Sequence, residues 1–195
     1  MKFSQNAAQK GFTLVELLIV VIILALLAAI VVPQFASSTD DAKLASLDTT
    51  LGNLRTAIDL YYQQHGEFPG ELTAVDAACG ATDGTGTGGV GANGAQAFLD
   101  QMSLYSDADG GTCSVKNGNF EFGPYLKKST LPDNPITNVG SALAGLVVVN
   151  DGDILMAGDA ANLGWKYDIL AGKFIANDTT DIDGAGPGTE TYDQR

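Results

Sequence analysis

Histidine occurs once in this sequence, cysteine twice, and the basic residues total 10 against 23 acidic ones, a formal charge of −13. Each shortage excludes something. A single histidine, His65, rules out a histidine-rich metal site and leaves little scope for a Ser-His-Asp triad, and no Gly-x-Ser-x-Gly elbow is present. The acidic balance argues against nucleic acid, whose binding needs basic patches to displace counterions. Cys79 and Cys113 have neither CxxC nor Cys/His spacing, so zinc is not indicated. The glycines between Gly80 and Gly94 end in no Gly-Lys-Ser/Thr, so they do not form a phosphate-binding loop. Polar residues are missing altogether from Leu17 to Val32.

That last gap organises the N-terminal region. Phe12 to Val32 is 21 residues, and a helix of that length spans about 30 Å, one bilayer core. An ordinary secretory signal puts its apolar stretch before a small-residue cleavage site, so the stretch is lost. Here Gly11 precedes the apolar run, and a cut after it leaves the hydrophobic helix on the mature chain. Lys2 and Lys10 on the near side predict a cytoplasmic N-terminus, with the remainder outside. Glu16 breaks the pattern, because a carboxylate inside a membrane costs about 2–4 kcal/mol without a partner. Cleavage would supply one: the new α-amino group of Phe12 lies four residues away on the same helix face.

Gly11-Phe12-Thr13-Leu14-Val15-Glu16, followed by Leu-Leu-Ile-Val-Val-Ile-Ile, resembles the N-terminal motif of type IV pilins and type II secretion pseudopilins. The resemblance covers about the first 30 residues and is highly specific. It implies a prepilin peptidase cutting between Gly11 and Phe12, and methylation of the Phe12 amine. It also implies that Glu16 pairs with the N-terminal amine of an adjacent subunit during assembly. Pro33 matches a position where pilin helices commonly carry proline and loosen in filaments. Partners implied are further copies of the chain, the inner membrane, and a pilus or secretion assembly machinery. The filament would be an extracellular pilus or a periplasmic pseudopilus.

Beyond Pro33, Leu44, Leu47, Leu51, Leu54, Ile58 and Tyr61 recur at spacings of three and four, predicting an amphipathic helix that buries this stripe. Asp48, Asn53, Arg55 and Asp59 are left to face water. Gly66 and Pro69 end the helix, which is therefore expected from about Phe12 to His65. His65 at its C-terminus would be favoured as a cation by the helix dipole. Gly80 to Gly94 reads as a flexible surface loop, and Ala95 to Leu104 as a short helix. Expected strands are Phe120–Phe122, Leu143–Val149, Asp153–Ala157, Gly164–Leu170 and Lys173–Ala176, with a tight turn at Ala171-Gly172. The fold class is α+β: a long N-terminal helix packed under a small antiparallel sheet. The expected organisation is a leader (1–11), a membrane or filament-core helix (12–33), an amphipathic helix (34–66) and a globular head (67–195).

In an exported protein Cys79 and Cys113 read as one disulfide, the alternative being two buried thiols. Leu131-Pro132-Asp133-Asn134-Pro135 resembles a loop of pseudopilin-like heads, and Trp165-Lys166-Tyr167-Asp168 their closing strands. Tyr61 to Pro69 resembles the segment that ends the long helix of many members. Major pseudopilins have an acidic C-terminal loop that binds calcium, and the tail here carries Asp181 and Asp183, candidates for that cation. The other reading is a solvated tail, and Asp107-Ala108-Asp109-Gly110 and Asp151-Gly152-Asp153 are rival acidic turns. Two functions follow: a structural filament subunit without enzymatic activity, or a membrane-anchored binding protein or hydrolase that does not polymerise. In the second, paired acids such as Asp107 and Asp109 would do the work.

Overall fold

The computed structural model describes residues 12–140, 145–159, 164–179 and 191–194. Helix α1 is continuous from Leu14 to His65. The chain divides into two compact units, Met1–Ala42 and Lys43–Arg195. In the first, α1 exposes every described side chain from Leu14 to Val31. In the second, the expected stripe is buried: Leu47, Leu51, Leu54, Ile58 and Tyr61 are at most 2% exposed, whereas Leu44 is half-buried. Arg55 departs from expectation. It is half-buried, and its Nε–H donates to the Phe174 carbonyl at 3.0 Å. Gly66 ends the helix at φ 77°, a conformation that costs a residue without Cβ little, and its N–H donates to the Tyr62 carbonyl at 2.8 Å.

The remaining elements are α2 (Gly91–Ser103), β1 (Tyr105–Ser106), β2 (Thr112–Cys113), β3 (Leu146–Val149), β4 (Trp165–Asp168), β5 (Lys173–Ala176) and a closing 3₁₀ turn, Tyr192–Gln194. The predicted short helix is present and begins four residues earlier than Ala95. Strands β1 and β2 pair antiparallel, as do β4 and β5. The antiparallel expectation fails for one pair: β3 runs parallel to β4, with Leu146 opposite Trp165 and Val149 opposite Asp168. The stretch between them, residues 150–164, is long enough for a parallel crossover.

The core lies where α1, α2 and this three-stranded sheet meet. Phe98 of α2 sits 4.8 Å from Tyr167 between ring centroids, Trp165 lies 5.5 Å from Phe174, and all four rings are fully buried. Burying side chains of this size contributes about 1.5–3 kcal/mol each. The Leu131–Pro135 loop is latched to β4 by side chains: Trp165 Nε1–H donates to the Pro132 carbonyl (2.8 Å), and Asn134 Nδ2 to the Gly164 carbonyl (3.1 Å).

Three strand expectations need correction. Asp153–Ala157 is a turn rather than a strand, because the Asp153 carboxylate accepts the Leu155 N–H at 2.8 Å and folds the backbone back on itself. Phe120–Phe122 makes only a single bridge, Ser106 to Phe122. Gly164–Leu170 contracts to Trp165–Asp168, because the Asp168 carboxylate accepts the Leu170 and Ala171 N–H groups and starts the turn. The glycine-rich segment is no freestanding loop. Asp100 Oδ2 accepts the N–H groups of Thr85 and Gly86 at 2.7 and 3.0 Å, and Ala74 N–H donates to the Gly86 carbonyl at 2.8 Å. A Cβ on Gly86 would lie 2.0 Å from the Ala97 nitrogen, so glycine is required by close approach to α2.

Candidate functional site

The chemistry predicted for this chain concentrates at the start of α1. Phe12 is 83% exposed, and the helix beginning at Leu14 is long and apolar enough over Leu14–Val31 to cross a membrane. In water such a surface is costly, at about 25 cal/mol per Å² of exposed apolar area. Lipid, or the matching helices of other copies, would remove that cost.

Glu16 is the sole carboxylate in that apolar stretch, and it already has partners within the chain. Its Oε2 accepts the Thr13 N–H at 2.9 Å and the Thr13 hydroxyl at 2.8 Å, while the Glu16 N–H donates to Thr13 Oγ1 at 3.2 Å. This is a reciprocal capping box, with Thr13 as N-cap and Glu16 three residues on. An amine was the only partner expected for Glu16, although Thr13-Leu14-Val15-Glu16 spells the S/T-x-x-E signature of this second role. The box satisfies donors at a helix end that lacks water when inserted. Gly11 lies outside the described residues; Pro33 lies within α1, the helical run continuing through it.

In the second unit the cysteines meet. Cys79 and Cys113 form a disulfide, Cα atoms 5.4 Å apart, closing a separation of 34 residues. It joins the start of the glycine-rich segment to β2. The buried amide of Gln101 ties the same region together: Oε1 accepts the Gly70 N–H at 2.7 Å, and Nε2 donates to the carbonyls of Gly110 (2.9 Å) and Leu72 (3.2 Å). Nothing in the sequence marks Gln101, one polar residue on a helix, as the junction of three loops.

His65 overturns its expected role as a favoured cation. The ring is half-buried against Tyr61 (centroids 4.0 Å) and Phe122 (5.1 Å), and Nε2 lies 3.0 Å from Ser106 Oγ and 3.2 Å from the Tyr125 hydroxyl. Burial lowers its pKa to about 4, so desolvation outweighs the helix dipole and the ring is neutral at physiological pH. Ser106 is fully buried, so this pair does not face a substrate.

The rival acidic turns close themselves. Asp107 Oδ1 accepts the Asp109 and Gly111 N–H groups at 3.0 and 2.8 Å, and burial followed by the neighbouring Asp76 raises the Asp107 pKa. This carboxylate shapes its own turn, which weakens the hydrolase reading of Asp107 and Asp109. Asp153 holds Leu155 in the same way. Asp181 and Asp183 lie outside the described residues, and among the described residues no group of three or more His, Cys, Asp or Glu side chains could hold a metal.

Comparison with known proteins bears on this apolar, capped helix. The prokaryotic N-terminal methylation motif matches residues 6–32. Beyond that motif, the matched part of the chain is similar to type IV pilins and to a type II secretion core protein. It is 38% identical over 73 residues to a fimbrial protein of Neisseria meningitidis serogroup B, covering 37% of this chain and 43% of that protein. It is 37% identical over 73 residues to the type II secretion system core protein G of Pseudomonas aeruginosa, covering 37% and 51%. With the type IV narrow pilus major component PilA5 of Thermus thermophilus it shares 50% identity over 48 residues, 25% of this chain and 41% of the relative. The matched region thus spans about half or less of each relative's length. No solved structure matches the chain. The relatives are pilus and secretion components rather than enzymes, and the apolar helix with this N-terminal motif fits a membrane-anchored precursor.

Proposed function

We propose that this protein is a prepilin: a structural subunit cut after Gly11, methylated on Phe12, and assembled through α1 into the filament of a type IV pilus or a type II secretion pseudopilus. The observation that carries it is an unburied apolar helix, Leu14–Val31, with one carboxylate in its first turn. Before assembly the segment spans the inner membrane with its N-terminus in the cytoplasm, held there by Lys2 and Lys10. A prepilin peptidase and the assembly machinery are its partners, and residues 12–33 form the filament core with Pro33 as the point where the helix loosens. On cleavage, the Phe12 amine competes with Thr13 for the Glu16 carboxylate. The capping box keeps Glu16 satisfied in the membrane, and a neighbour's amine replaces it in the filament. Calcium bound through Asp181 and Asp183 would offset the acidic head.

Glu16→Ala separates these steps. Intact mass should still show a chain cut before Phe12 and carrying its methyl group, while electron microscopy of sheared material should show fibre number reduced by about tenfold or more. Unchanged fibres in Glu16→Ala would remove the pairing role, and a wild-type chain that keeps its leader and forms no fibres would remove the prepilin reading.

A further inference from the structure

The second unit carries an apolar knob on one loop and a groove of matching character on another. The knob is the turn Asp151–Leu155. Ile154 and Leu155 are 74% and 81% exposed, the highest values among the described large apolar residues of this unit. They are not loose: Asp153 accepts the Leu155 N–H at 2.8 Å, Asp153 N–H donates to Asp168 Oδ2 at 3.2 Å, and Lys173 Nζ donates to the Ile154 and Met156 carbonyls at 2.7 and 3.3 Å. A rigid turn that presents two aliphatic side chains to water costs stability in the lone chain. Two exposed carboxylates, Asp151 and Asp153, precede the pair.

The groove has a volume of about 420 Å³ and lies along residues 126–133, with Leu126, Leu131 and Pro132 as its apolar lining. Lys127 and Lys128 stand exposed at its edge. Three cations of the unit are held within the chain: Lys166 pairs with Asp159 at 2.6 Å, Lys173 holds the knob, and Arg55 holds Phe174, whereas Lys116 is exposed on the loop after β2. Lys127 and Lys128 have no ion pair among the described residues, in a chain of charge −13. Asp133, at the groove's end, has an interaction of its own.

We propose that the Ile154-Leu155 knob of one copy seats in the Leu126–Pro132 groove of the next, with Asp151 and Asp153 facing Lys127 and Lys128. The match is double, apolar to apolar and acid to base, and the two surfaces differ, so each copy offers one to either neighbour. Such a heterologous contact propagates as an open helix wherever its rotation does not close a ring. The charged rim fixes register and rejects mispairing of acidic surfaces. The inference rests on the filament reading and adds to it a specific contact between heads.

The test uses the full chain in the cell that produces it. Thr130→Cys with Leu155→Cys, in fibres oxidised after shearing, should give a ladder of dimers, trimers and higher species on a non-reducing gel, because a seated knob brings the two Cα atoms within disulfide range. Neither single variant should give a ladder. Fibres without a ladder, a Leu155→Cys single variant that dimerises with itself, or capture of a different protein by Cys at 130 would each overturn the docking and leave the filament reading standing. Absence of wild-type fibres would overturn both. Should the double variant not assemble, charge decides: Lys127→Glu with Lys128→Glu should lower fibre yield by about tenfold or more, and adding Asp151→Lys should restore most of it. No restoration would overturn the contact.

Discussion

Two side chains show how environment decides a residue's role. Glu16 and His65 both sit at an end of α1, and each has a helix-terminal interaction legible from its position. For Glu16 the local geometry holds, because its capping partner Thr13 is three residues away and no other element is needed. For His65 it fails, because Phe122 and Tyr125 arrive from far along the chain and exclude water. This has a consequence for pH. The folded-state pKa, about 4, lies below the ordinary 6.5, so between these values the unfolded chain binds the extra proton. The contribution of His65 is complete above pH 6.5 and is lost as pH falls towards 4. Thermal melts of the detergent-solubilised chain should show a decline over that interval that His65→Gln makes shallower. Raised carboxyls such as Asp107 act in the opposite direction, so the difference between the two proteins is the quantity to read.

At the scale of elements, glycine separates two outcomes of substitution. Gly52 lies in α1, and a methyl group added there would meet nothing within 4 Å, so Gly52→Ala gains helix propensity and should stabilise the chain by about 0.5–1 kcal/mol. Gly86 lies against the α2 backbone, and Gly86→Ala must push the segment off Asp100 and Ala97, a loss of about 1–3 kcal/mol or more. Urea unfolding of both variants measures the contrast, and equal effects would contradict the docked segment. The disulfide works on the same region through the unfolded chain. Replacing Cys79 and Cys113 by serine should cost about 3–4 kcal/mol, given a 34-residue separation.

For the whole molecule, charge is the governing quantity. Cleavage after Gly11 would take away Lys2 and Lys10 and bring the formal charge from −13 to −15. Copies so charged repel one another when packed side by side, and a filament must bridge or separate them. Melting temperature, or fibre yield, should therefore be higher in calcium than in chelator. Equal values in the two would remove any role for cations at Asp181, Asp183 or elsewhere on the acidic surface.

The amino-acid sequence alone determined what depends on near neighbours. The apolar run, its single carboxylate, the buried stripe from Leu47 to Tyr61 and the stop at Gly66 are all patterns within one helix, where each residue's surroundings follow from spacing. It also supplied the acidic balance and, given export, the cysteine pairing. Only the tertiary structure decided that β3 lies parallel to β4, that Gly86 touches α2, that Gln101 joins three loops and that His65 is half-buried and held neutral. Those facts depend on which distant segments meet. A short apolar run such as Ile154-Leu155 carries no local sign of whether it will join a sheet or be held in a turn facing water; its neighbours in space, Asp168 and Lys173, made that choice.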